Sequence, residues 1–227
     1  MRGLGLEMEK LISGIAQFHN SSYQEKKELF SELANGQSPE VLFITCADSR
    51  IDPNLVTQTE PGDLFIIRNA GNIVPPHMRN SDGITASIEF AVAALGVKHI
   101  VVCGHSDCGA MKGAMNPAAL SDLPHVQDWL EHTRGAVESV RARTGDNTAD
   151  ALDHVTEENV ILQLQHLRTH PTVLAKLATA DVDLHGWVYS IEHGTISAFD
   201  DETGQFVPAE ERYAEFMDAA EPDLKSA

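Results

Sequence analysis

The chain has 227 residues, 42% of them hydrophobic, and a formal net charge of −18. That is enough apolar material for one large α/β domain. The acidity argues against nucleic acid or an anionic membrane as partner, because binding phosphates requires clustered Lys and Arg. Apolar runs stay well short of the ~20 residues of a transmembrane helix.

In chain order, residues 5–20 and 22–35 read as two helices. Leu6, Leu11, Ile12, Ile15 and Phe18 share one helical face, Ser21 or Ser22 suits a cap for the second helix, and Gly36 suits its stop. Glu7, Glu9 and Lys10 interrupt this stretch and no small-residue cleavage site follows, so it does not read as a signal peptide and a cytoplasmic protein is expected. The pattern then changes to short β-branched apolar runs, "VLFIT" (41–45), "LFIIR" (64–68) and "HIVVCG" (99–104), as parallel strands buried on both faces require. "WVYSI" (187–191) reads as a later strand and "TISAF" (195–199) as an edge strand, joined by a turn at Gly194. Helices are expected over 82–95, ended by Gly96, over 125–143 and 151–168, and from Pro171. Strand and helix in alternation mean an α/β fold, a central largely parallel β-sheet with flanking helices. The expected organisation is an N-terminal helical arm (1–35), one main domain (36–210) and an acidic C-terminal tail (211–227).

The chemistry gathers at two strand ends. Cys46 follows the strand 41–45 directly in "FITCADSRIDPN". His105 follows the strand 99–104, and Cys108 comes three residues later in "CGHSDCGAMKG". Sites on open parallel sheets form beyond the carboxyl ends of strands, so the two ends are expected to converge. Two thiolates and an imidazole suit zinc, and three protein ligands leave a fourth position open, as in a catalytic rather than a structural site. With three cysteines in the chain, no disulfide framework is suggested. The bland alternative is that the cysteines are buried and inert, which is the reading given to Cys103 inside its apolar run. Asp48 and Arg50 read either as an ordinary ion pair capping the loop, or as a carboxylate held ionised and turned toward a metal-bound hydroxide.

The pair "CADSR" and "HSDC" resembles the β-class carbonic anhydrases. "GQSPEVLFITCADSR", "EPGDLFIIRNAGNIVPP" and "ASIEFAVAALGVKHIVVCGHSDCGAMKG" match that family in order, over about residues 25–210. Within the family, "LHGWVYSIEHGTISAFDDETGQFVP" is most similar to the bacterial enzymes encoded beside cyanases. The resemblance implies Zn²⁺ held by Cys46, His105 and Cys108, a catalytic pair Asp48 and Arg50, and reversible hydration of CO₂ to bicarbonate through a zinc-bound hydroxide. It implies that Gln37 and the Gly109 N–H contact substrate, and that Phe65 and Ala70 line a small CO₂ pocket, where many members carry valine in place of the alanine. It also implies a homo-oligomer with a dimer as minimum unit and tetramers or octamers as larger forms, and a metabolic link to cyanase. Plant-type members often carry Tyr and His where this chain has Phe90 and Ala94, so no histidine proton shuttle is expected there. "GQSP" and "RNAGNIVPP" resemble the open group, in which water or hydroxide is the fourth ligand. The alternatives are a zinc hydrolase of carbon disulfide or carbonyl sulfide on the same fold, a non-catalytic zinc-stabilised assembly protein, and a redox thiol protein. The last lacks the C-x-x-C it would need.

Overall fold

The three apolar runs of the first half become the parallel part of one sheet. In the computed structural model, residues 6–79, 82–145 and 150–216 are described. The sheet has six strands in the order β2-β1-β3-β4-β5-β6. These are β1 (Val41–Cys46), β2 (Leu64–Asn69), β3 (His99–His105), β4 (Asp183–Tyr189), β5 (Ile196–Asp200) and β6 (Gln205–Pro208). The pairs β1–β2, β1–β3 and β3–β4 are parallel, while β4–β5 and β5–β6 are antiparallel. The expected α/β fold with a largely parallel central sheet and a helical N-terminal segment is therefore present.

Alternation along the strands separates two cores. Leu42, Ile44, Ile67, Ile100 and Val102 pack with Ile88, Val92, Val160, Leu164 and Val173 from the covering helices. Phe43, Val101 and Cys103 point to the other face, where Ile51, Trp187 and Tyr189 join them. Both faces are apolar, so β1 and β3 carry continuous rather than alternating hydrophobicity.

Several boundaries differ from the expected ones. The late strand starts at Asp183 because it pairs along the whole of β3, from His99↔Asp183 to His105↔Tyr189. Its first half, "DLHG", lacks β-branched residues and is held by that pairing. The strand expected at 195–199 is not the edge, because β6 pairs outside it. Residues 125–143 form no single helix: Pro124–Leu130 and Arg134–Thr144 are separated by a 3₁₀ turn, Glu131–Thr133. There the buried Thr133 hydroxyl donates to the Leu130 carbonyl (2.7 Å), a local bond that competes with the helical ladder. The 82–95 helix is present as Gly83–Glu89 continued by a π-helical Phe90–Leu95. It is capped by Asp82, which accepts from Thr85 N, and ended by Gly96 at φ 71°. The short helices Pro53–Thr57 and Gly109–Met115 were not foreseen. No described helix is long and apolar enough to cross a membrane.

The chain divides into two units, Met1–Ser38 and Pro39–Ala227. In the first, no serine cap breaks the helix: Ser22 is helical without a side-chain cap bond, inside a π-helical turn Phe18–Ser22. The ladder is interrupted instead at Lys26, at φ −109° and ψ 22°. Rings of Phe18, Tyr23 and Phe30 pack on one another around this turn, with centroids 5.3–6.1 Å apart, and so hold it. In the second unit, Tyr213 OH accepts from Trp187 Nε1 (2.9 Å). The rest of the acidic tail, 217–227, lies outside the described residues.

Candidate metal centre

Two adjacent parallel strands bring the thiols together. Cys46 is the last residue of β1 and His105 the last of β3, so both lie at the carboxyl edge of the sheet. Cys108 stands at the N-cap of the helix Gly109–Met115, which turns the chain back over that edge. One ligand atom from each of Cys46, His105 and Cys108 lies within 4.8 Å of the other two, and all three residues are buried. The two sulfurs are 4.0 Å apart.

The donor set fits a metal ion. His105 Nδ1 lies 2.9 Å from the Ser106 carbonyl, which can only accept, so Nδ1 carries the proton and Nε2 presents its lone pair. That Nε2 atom is buried and has no hydrogen-bond partner among the described residues. A buried lone pair beside two thiols is an uncompensated cost without a cation. The Cys46 thiol is lowered by the Cys108 thiol that hydrogen-bonds it, against the opposing effect of burial. Cys108 is correspondingly pushed up, by Cys46 first and by burial second. Two sulfurs this close share one proton, and a cation takes that proton's place. Cys103 shows the contrast: fully buried and away from the cluster, it is pushed up to about 12 by burial.

Asp48 faces the centre, its Oδ2 3.9 Å from His105 Nε2. Arg50 grips it from three directions: the backbone N–H (2.9 Å) and Nε (2.9 Å) donate to Oδ1, and Nη2 (2.8 Å) donates to Oδ2. The Arg50 hydrogen bond holds the Asp48 carboxyl well below the usual carboxylate range. Arg50 is itself held. Its Nη1 donates to the Asp107 carboxylate (2.9 Å) and its Nη2 to the Asp107 carbonyl (3.1 Å), while Lys112 bonds the same carboxylate.

Asp107 is thus a residue that sequence reasoning missed, although it lies inside the quoted "HSDC". Its signal was conformational: it adopts φ 58°, which Asp tolerates better than most residues and which turns its carboxylate toward Arg50. Arg68 was also missed. From β2 it donates to the carbonyls of Cys46 (3.0 Å), Asp48 (2.7 Å) and Ile51 (2.9 Å), which fixes the loop carrying the pair. Gly71 was missed as well, and its N–H donates to Cys46 Sγ (3.4 Å).

The remaining sequence-derived residues lie nearby or apart. Gly109 opens its helix, so its N–H has no intrahelical acceptor and is a donor beside Cys108. Phe65 is half-buried on β2 with its ring 6.1 Å from that of Phe90, and Ala70 is exposed just beyond the strand. Gln37 belongs to the N-terminal unit, and its contact with substrate stays a proposal.

A family model described as carbonic anhydrase matches residues 41–196. A carbonic anhydrase of Pseudomonas aeruginosa is 48% identical over 200 residues, 88% of this chain and 91% of that protein. Among solved structures, the β-carbonic anhydrase CcaA superposes with a TM-score of 0.86 at 43% identity, covering 89% of this chain and 99% of the other. The tetrameric β-carbonic anhydrases of Sordaria macrospora superpose with a TM-score of 0.75 at 31% identity, over 88% and 98%. With the family match spanning most of the chain and the fold shared from end to end of these relatives, this chain belongs to the β-class carbonic anhydrases, enzymes of CO₂ hydration.

Proposed function

We propose that Cys46, His105 and Cys108 hold a zinc ion and that the residues around it hydrate CO₂ reversibly. The observation that carries this reading is the unpartnered His105 Nε2, buried within 4.8 Å of two thiols. Zinc supplies Lewis acidity, making water a nucleophile near neutral pH. Three ligands from the chain leave room for that water.

The chain's own groups do the rest. Asp48, kept ionised by Arg50, accepts the nucleophile's hydrogen and aims its lone pair at carbon. Arg50 bonds both Asp48 oxygens and would hold the carboxylate off a bound metal, while Oδ2, which takes a single bond from Arg50, keeps a lone pair for that hydrogen. The Gly109 N–H and the Gln37 amide would donate to the CO₂ oxygen on which charge builds. Phe65 and Ala70 would form the apolar wall for CO₂, which offers no hydrogen to donate.

Among the described residues that wall is partly bare: Ala70 is exposed, and Phe90, whose ring lies beside that of Phe65 on the edge strand β2, is 48% exposed. A second copy covering this edge would complete the site and remove a strand edge from solvent. The tetrameric Sordaria relatives support a homo-oligomer with a dimer as its minimum unit.

The test is metal content followed by stopped-flow CO₂ hydration from about pH 6.5 to 9. A single zinc per chain and turnover rising with pH are expected, since two thiolates donate more charge than imidazoles and leave the water less acidic. Full zinc with no hydration at any pH would overturn the reading.

A further inference from the structure

The Gly71 N–H that reaches Cys46 Sγ is not a loop accident, because its peptide is anchored from the opposite side. The peptide unit carrying this N–H also carries the Ala70 carbonyl. Trp129 Nε1 donates to that carbonyl oxygen at 2.8 Å. The peptide plane is therefore pulled at both ends along one line, by an indole N–H and by a sulfur. The next carbonyl, Gly71 O, accepts from Asn159 Nδ2 at 3.1 Å. Asn159 Oδ1 in turn accepts from Gln163 Nε2 (2.8 Å), and Gln163 Oε1 accepts from Val74 N (2.9 Å). Asn159 and Gln163 are 1% and 0% exposed, so this amide pair is a buried polar row on a helix face that is otherwise apolar apart from Thr156. Such a row is retained only where its bonds are satisfied, and here Asn159 bonds Gly71 O and Gln163, while Gln163 Oε1 accepts from Val74 N and also lies 3.1 Å from His166 Nδ1.

The glycine itself is required. Gly71 has φ +83°, and a Cβ there would meet Met111 Cε at 3.0 Å and Ala110 Cβ at 3.1 Å. Both obstacles sit on the helix that Cys108 caps. The backbone is thus packed hard against the centre, with its N–H in the place a side chain would block.

We infer that Trp129 and Asn159, backed by Gln163, are positioning residues that hold the Gly71 N–H on the Cys46 sulfur and so limit how strongly that sulfur donates to a bound cation. A hydrogen bond to a ligating thiolate draws charge from it. In a centre with two thiolates, that restraint keeps the cation a stronger Lewis acid. The inference rests on the metal-centre reading proposed above.

The experiment substitutes Co²⁺ in the full-length protein and records the thiolate-to-cobalt charge-transfer band in wild type, Asn159→Leu and Trp129→Phe. Loss of the hydrogen bond leaves the sulfur richer in charge, so the band should move to longer wavelength in both variants. Turnover of the zinc-loaded Asn159→Leu enzyme should fall ~10-fold or more. A merely structural role would lower the melting temperature and leave the band in place. Should Asn159→Leu fail to fold, Trp129→Phe decides alone, since it keeps an aromatic side chain while removing the donor. A shifted band supports the inference, and an unshifted band overturns it. A wild-type protein that shows no thiolate band with cobalt overturns the metal reading and this inference together, so the two failures are distinguishable.

Discussion

Adding one methyl group to the sheet face under the helix Ala151–Leu167 should cost stability, and the structure indicates how much. Gly186 on β4 leaves room for that helix: a Cβ there would lie 2.9 Å from Val160 Cγ1, 3.0 Å from Leu164 Cδ1 and 3.3 Å from Phe199 Cβ. At Gly104 on β3 it would lie 3.0 Å from Val160 Cγ2 and 3.2 Å from Thr156 Cγ2. Val160 and Thr156 are β-branched and stiff at χ1 in a helix, so they cannot swing aside cheaply. The helix or the strand must move, at ~1–3 kcal/mol for each Gly→Ala change. For a chain of this size that lowers the melting temperature by ~2–4 °C per kcal/mol. The assay is urea or thermal unfolding at one fixed protein concentration, because assembly contributes to stability. Gly104→Ala should also lose more turnover than Gly186→Ala, since Gly104 directly precedes His105. Alanine variants as stable as wild type would refute the close seating of this helix as a source of strain.

Asp48→Asn should keep its metal and lose ~10²–10⁴-fold in turnover, because the amide cannot take the nucleophile's hydrogen. Metal analysis and stopped flow check this, and near-wild-type turnover would remove Asp48 from the mechanism. Cys108→Ser should lower metal affinity by more than the ~10–100-fold typical of removing an outer hydrogen-bond partner, and prolonged chelation should abolish wild-type activity until zinc is restored. Cys103 gives a pH signature. Its folded pKa is raised from 9.0 to about 12, so its contribution to stability is complete below pH 9 and fades as pH rises toward 12, when only the unfolded thiol ionises freely. At pH 10 the loss is about 1 kcal/mol. The difference in unfolding free energy between wild type and Cys103→Ala, taken from urea melts, should change by that amount from pH 8 to 10, and a constant difference would mean Cys103 is not sealed from water.

The sequence by itself determined the chemistry on offer. The runs at 41–45, 64–68 and 99–104 are legible as buried strands because hydrophobic pattern is a local property. Each of the two cysteine motifs stands directly at a strand end, where open sheets place their sites. Types and spacing of ligands were therefore readable, as was the family that carries them. What the tertiary structure decided is which distant atoms meet. Cys46 and Cys108 are 62 residues apart in sequence, and the parallel register of β1 and β3 sets their sulfurs 4.0 Å apart. Asp107 reaches Arg50 only because of a left-handed backbone at one position. β4 begins at an unpromising "DLHG" because β3 offers it a full ladder. The Asn159–Gln163 row holds the Gly71 peptide from a helix 88 residues further along the chain. Local propensity acts over a few residues, whereas hydrogen bonds to sulfur and carbonyl at this centre are made by groups that only the sheet and its covering helices bring within reach.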